Sequence, residues 1–121
     1  MSSTTYIGGA GIVARHLKAL GADVTLTSVL GDDKLGKFVK REMKSWGIKS
    51  NFFLDNTRCT TLKERYWANN YKLIQVDTVD NHNLSTDLVN RIKKKLKIQN
   101  LKQLYLVILD MEFLIERTLN L

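Results

Sequence analysis

Residues 8–33 read GGAGIVARHLKALGADVTLTSVLGDD, and this stretch decides the fold class. Ala10, Val13, Ala14, Leu17 and Leu20 recur at i, i+3, i+4 and i+7, which predicts an amphipathic helix; Gly21 follows where a left-handed C-cap belongs. Val24 to Leu30 is a β-branched and aliphatic run that ends in Gly31, Asp32 and Asp33, the pattern of a buried strand leading into a capped helix. That next helix carries Leu35, Phe38, Val39, Met43 and Trp46 on one face and closes at Gly47.

Further along, the pattern shortens. Phe52 to Leu54, Thr60 to Trp67 and Tyr71 to Val76 are aromatic-rich runs, the last two separated by Asn69 and Asn70, and they predict an antiparallel β-meander over about residues 51–77. Helical periodicity returns from Ser85 to Leu96. Leu104 to Leu109 is a continuous apolar run of the kind found in central parallel strands. The order αβα, meander, αβα implies an α/β fold with a parallel sheet, helices packed on it, and the meander standing apart as an accessory sheet or lid.

At 121 residues the chain has room for a single domain, 1–121, and its 44% hydrophobic content is that of a folded globular protein. The formal net charge of +7 suits an anionic partner without choosing among nucleic acid, a phosphorylated metabolite and an acidic membrane. Its densest source is Arg91, Lys93, Lys94, Lys95 and Lys97, which flank Leu88, Val89, Ile92 and Leu96. No aromatic residues are interleaved there to stack on bases, so those cations read as a solvated helix face and nucleic acid is not the expected partner; a basic nucleic-acid-binding protein stands as the non-enzyme alternative. Cys59 is the lone cysteine, which excludes an internal disulfide. The start of the chain has neither a basic leader nor an apolar signal core, and no apolar run approaches the ~20 residues of a membrane helix; the expectation is a cytoplasmic protein that does not span a bilayer.

Gly8, Gly9 and Gly11 crowd the turn before the first helix, where glycine lets the backbone approach a ligand and the helix N-terminus offers N–H donors. Three readings compete. The glycines form a tight turn and nothing more; or Gly9, Gly11 and Ala14 are the Gly-x-Gly-x-x-Ala form of a dinucleotide fingerprint with Asp32 as the ribose acid, making the chain part of an oxidoreductase; or they are the floor of a sugar site.

The third reading comes from resemblance. Gly8-Gly9-Ala10-Gly11-Ile12-Val13-Ala14, then Leu20-Gly21-Ala22, then Val29-Leu30-Gly31-Asp32-Asp33 with Gly36, resembles the first signature of the phosphofructokinase-B family of ribokinase-like carbohydrate kinases. Arg58 to Arg65 and Asn70 through Leu73 to Asp77 are similar to the segments found after it in the family's heptose 7-phosphate kinases. The resemblance implies a three-layer ribokinase-like fragment with a small antiparallel β-lid, in which Gly8 and Gly9 line the sugar floor and Lys63, Arg65 and Asn70 belong to the lid. Lys63 and Arg65 share a strand face by their i, i+2 spacing, a suitable pair of cations for a sugar bearing a phosphate.

It also implies ATP with magnesium as phosphoryl donor for the family, and homodimers formed through lid strands. The family's catalytic Asp and anion-hole glycines belong to a downstream Gly-Ala-Gly-Asp motif, yet Gly47 is the last glycine here, so no catalytic residue is assigned and neither ATP nor the ion is expected to be held by this chain alone. The resemblance further implies an opening strand with an acidic sugar contact before Gly8, and that strand is expected to be missing here. Ile12 stands where many relatives carry an Asn that hydrogen-bonds the sugar. After Asp110 the sequence departs from the Tyr-Gly continuation usual in the family, which leads us to expect a reading-frame slip there. The chain then reads as truncated at both ends and inactive alone. His16, His82 and Cys59 have no neighbours at metal or nucleophile spacing and are left unassigned.

Overall fold

The structure, a computed structural model, describes residues 2–98, 106–107 and 115–120. Along the chain run β1 (Ser2–Ile7), α1 (Gly9–Ala19), β2 (Thr25–Gly31), α2 (Lys34–Ser45), β3 (Lys49–Asp55), β4 (Leu62–Ala68), β5 (Tyr71–Thr78), α3 (Thr86–Ile98), β6 (Leu106–Val107) and β7 (Ile115–Asn120).

The helix predicted from residue 10 ends as expected. Gly21 takes φ +91, and the N–H groups of Gly21 and Ala22 donate to the carbonyls of Lys18 and Leu17, satisfying the last turn. Gly47, at φ +67, ends α2 in the same way. Ala10 and Ala14 are 1% and 0% exposed, so α1 presents side chains short enough for its backbone to lie close against β2. α2 contributes Val39 and Met43, both fully buried with Leu26 and Leu30 of β2. Each such side chain stabilises the fold by roughly 1.5–3 kcal/mol relative to exposure.

Those residues lie on one face of a parallel sheet ordered β3-β2-β6. On the other face, Arg91 of α3 stands 5.8 Å from the ring centroid of Phe53, and α3 buries Leu88 and Ile92. Phe52, the preceding residue of β3, packs on the α1/α2 side, so the sheet is sandwiched in three layers. The charged positions of α3 from Arg91 to Lys97 are exposed, as a solvated face requires.

The meander needs a correction. Phe52 to Leu54 is not its first strand: β3 pairs in parallel with β2, Thr25 opposite Lys49 through Gly31 opposite Asp55, and belongs to the body. Consecutive Phe52 and Phe53 serve the two faces of a covered sheet, which is why the run lacks the alternation of a half-exposed strand. The antiparallel hairpin is therefore β4–β5 alone, turned by Asn69 and Asn70 at φ 48 and 66.

That hairpin lies in a second sheet, ordered β1-β7-β4-β5. β7 is antiparallel to β1 and parallel to β4, with six residue pairs on each side. A strand does precede Gly8, which corrects the expectation that the opening strand is missing; β1 stands in the lid sheet and not in the parallel sheet, where a dinucleotide fold would need it. Of the apolar run at 104–109, Leu106 and Val107 pair with Leu26 and Thr27 of β2; its other residues, and the departure after Asp110 up to residue 114, lie outside the described residues. No helix among the described residues is long and apolar enough to cross a membrane.

Candidate functional site

Gly8 caps α1 with an extended backbone and no side-chain partner, and its carbonyl accepts from Gly11 and Ile12 at 3.2 and 3.4 Å. Gly9 sits at φ +51, a conformation that favours glycine, so the turn is both tight and bare. The first turn of α1 has no acidic side chain, leaving its N–H donors facing no fixed negative charge of that turn.

The lid strand meets this turn through a shared neighbour. Ile7, just before Gly8, pairs with Ile115, and Ile115 pairs on its other side with Leu62, just before Lys63. Two strand spacings separate β1 from β4, so Lys63 starts roughly 10 Å from the glycine turn. Tyr6 and Lys63 both pair with residue 116 and therefore share a face; Thr4 and Arg65 do so through residue 118.

On that face, Lys63 Nζ is 3.6 Å from Asp77 Oδ2, and Arg65 Nε donates to Gln75 Oε1 at 3.1 Å. Gln75 Nε2 donates to Asp77 Oδ1 at 2.9 Å, linking the two pairs. Lys63 and Arg65 are half-buried. A partly exposed ion pair at 3.6 Å contributes ~0–1 kcal/mol, so the ammonium can exchange its carboxylate for a phosphate at little cost.

Asn70 is placed differently. β4 runs away from Gly8, so the hairpin tip lies at the far end of the sheet, and Asn70 is exposed there with a backbone that the turn itself requires. The structure puts Gly8, Gly9 and Lys63 at one end of the lid sheet, two strands apart, with Arg65 one face position beyond, and sets Asn70 at the other end.

Sequence reasoning missed the knot at the root of β4. Asp33 caps α2: its Oδ1 accepts the Gly36 N–H at 2.7 Å, and its Oδ2 accepts the Thr60 N–H at 2.7 Å. Thr60 Oγ1 in turn accepts the Gly31 N–H at 3.1 Å. Burial works against ionising Asp33, but donors from the Thr60 and Gly36 backbones, the Thr60 hydroxyl and the Leu35 backbone outweigh it and hold the carboxyl below its ordinary value. The Gly31-x-Asp33-x-x-Gly36 spacing and the Thr60-Thr61 pair were the available signals.

A second set of contacts joins the two legs of the lid. Arg58 Nε donates to Asp55 Oδ2 at 2.9 Å and Arg58 Nη2 to the carbonyl of His82 at 2.8 Å. Thr57 Oγ1 lies 3.1 Å from His82 Nε2, and the Cys59 N–H donates to Asp80 Oδ2 at 2.7 Å. Burial and then the neighbouring Asp80 push the Cys59 thiol up, the opposite of what a nucleophile needs. His16 is exposed on α1. Among the described residues no three His, Cys, Asp or Glu side chains are grouped to hold a metal ion. An open groove of about 570 Å³ lined by Lys40, Lys44, Lys49 and Phe52 lies at the start of β3, the end of the parallel sheet opposite the lid root.

A family profile described as pfkB family carbohydrate kinase matches residues 1–110. The chain is 43% identical over 83 residues to "Bifunctional protein HldE" of Helicobacter pylori (strain J99 / ATCC 700824), covering 68% of this chain and 18% of that protein. It is 37% identical over 79 residues to the protein of that name in Campylobacter concisus (strain 13826), covering 64% and 17%. With the one in Campylobacter curvus (strain 525.92) it shares 33% over 97 residues, covering 78% and 21%. The chain thus spans about a fifth of the length of the curated relatives it matches. A match over residues 1–110, which take in the glycine turn, the capped second helix and the lid hairpin, places the chain in the pfkB family of carbohydrate kinases.

Proposed function

We propose that this chain is the acceptor-binding part of a sugar kinase whose substrate is a phosphorylated sugar of the heptose phosphate class. The observation that supports the reading is the pairing of Ile7 and Leu62 with one residue, Ile115, by which the glycine turn and the start of the Lys63/Arg65 strand stand at the same end of one sheet, two strands apart. Glycine N–H groups suit sugar hydroxyls, and two neighbouring cations suit a phosphate a few ångströms further on. Asn70, at the end of the sheet far from Gly8, reaches the outer end of the ligand only when the lid folds over it.

ATP with magnesium is the family's phosphoryl donor. The described residues offer no carboxylate cluster for the ion, and the sequence has no glycine-rich turn after Gly47 for the nucleotide phosphates, so no transfer step is assigned to these residues. Acting alone, the chain binds sugar and does not phosphorylate it. The proposal extends to a cytoplasmic location and to a homodimer through β5, an edge strand whose Tyr71, Leu73 and Ile74 are 77%, 59% and 55% exposed.

Thermal shift with D-glycero-D-manno-heptose 7-phosphate, the unphosphorylated heptose, NAD and an oligonucleotide tests the reading. Stabilisation by the sugar phosphate above the free sugar supports it. Stabilisation by NAD or the oligonucleotide alone overturns it.

A further inference from the structure

Thr60 is 3% exposed and is seated against a turn 29 residues earlier in the chain. A Cβ on Gly31 would stand 2.6 Å from Thr60 N and 2.8 Å from the Arg58 carbonyl, and one on Gly36 would stand 3.2 Å from Thr60 Oγ1. The two glycines therefore form a socket whose occupant is Thr60. Inside it the hydroxyl accepts from Gly31 N–H, while the Thr60 N–H goes to Asp33 Oδ2.

Beyond Thr60 the chain runs straight into β4. Thr61 is 8% exposed, Leu62 packs on the core cluster, and Lys63 and Arg65 come three and five residues later on one face. The contacts through Arg58 and Asp80 tie the lid's legs to each other and to the end of β3; the Thr60 socket ties β4 to the turn between β2 and α2. A hydrogen bond to a phosphate oxygen fails outside a window of a few tenths of an ångström, so the place where β4 is rooted decides whether both cations reach one ligand.

We infer that Thr60 is a positioning residue: held by Gly31 and Asp33, it sets Lys63 and Arg65 at their distance from the Gly8–Gly9 turn. The ligand in this inference rests on the proposed function; the rooting itself does not.

The test uses the whole chain with Thr60→Val, which keeps shape and loses the hydroxyl acceptor of the Gly31 N–H, and Thr60→Ser, which keeps it. Hydrogen exchange is expected to rise at least tenfold in Thr60→Val for amides of β4 and β5, with Leu26 and Val39 unchanged and Thr60→Ser close to the parent. The affinity ratio of heptose 7-phosphate to heptose should fall about tenfold in Thr60→Val and recover in Thr60→Ser, because the glycine floor is untouched. Unchanged lid exchange, or an equal rise throughout the core, overturns the inference. If Thr60→Val does not fold, Thr60→Cys, a weaker acceptor of similar size, must give the same local pattern at lower amplitude or the inference fails. Should the parent bind neither sugar, the sugar-kinase reading falls while the exchange data still decide the rooting.

Discussion

Asp33 Oδ2 accepts the backbone N–H of Thr60 at 2.7 Å, so a helix cap and a lid root share one carboxylate. The same side chain satisfies Gly36 at the start of α2. Asp33→Ala removes the cap and strands the N–H of a buried residue, and is expected to cost about 2–4 kcal/mol in urea unfolding. Asp33→Asn, which keeps an acceptor, should cost about half of that. Equal values for the two would mean that the cap alone matters.

The socket predicts an order among glycine variants. Gly31 has an ordinary backbone, yet its Cβ would meet Thr60 N, Asp33 Oδ2 and the Arg58 carbonyl at 2.6–2.8 Å, and a Cβ on Gly36 would collide with the Gly31 carbonyl. Gly21 has open space around it but φ +91. Gly31→Ala and Gly36→Ala therefore displace backbone, at about 3 kcal/mol or more, whereas Gly21→Ala carries only conformational strain of about 1–2 kcal/mol. Chemical denaturation of the three variants checks the ranking.

Lid residues divide by role in the same way. Lys63→Ala and Arg65→Ala each remove one charge-assisted contact to a ligand phosphate, which is expected to weaken sugar phosphate binding about 10- to 100-fold by calorimetry. Stability should change by less than about 1 kcal/mol, because Asp77 and Gln75, their partners on β5, are exposed to solvent. Asn70→Gly keeps a turn residue that tolerates φ 66 and removes the amide. If Asn70 contacts the ligand, this variant folds normally and binds less well; unchanged affinity would make Asn70 a turn former and nothing else.

The legible part of the fold is the part written in local periodicity. Ala10 to Leu20 and Leu35 to Trp46 announce their helices because each buries one stripe, and Asn69-Asn70 announces its turn because both residues take positive φ. Lys63 and Arg65 can be put on one face from spacing alone. β3 escapes such reading because consecutive phenylalanines carry no period, so nothing local separates a covered parallel strand from a meander strand. The seating of β7 between β1 and β4 depends on partners more than 50 residues distant, and the Asp33–Thr60 contact spans 27 positions. Neither leaves a local trace. The chemistry of the site is readable residue by residue, while the device that roots it depends on tertiary contact.

Acid should unlock that device first. Asp33 is held below its ordinary 3.8 by the donors that outweigh its burial. Asp55 is lowered first by the Thr57 hydroxyl, and Asp80 first by the Cys59 N–H. All three carboxyls protonate at lower pH in the folded chain than in the unfolded one. Below about pH 4 the unfolded state therefore binds more protons, so stability is full above that value and declines as pH falls through the folded pKa values. Urea midpoints measured from about pH 6 to about pH 3 should stay level and then drop, and hydrogen exchange in β4 and β5 should rise earlier on acidification than exchange in β2. In Asp33→Asn the acid limb should be shallower, since the shared carboxylate no longer titrates. An acid limb of unchanged steepness in that variant would show that Asp33 does not couple the lid root to pH.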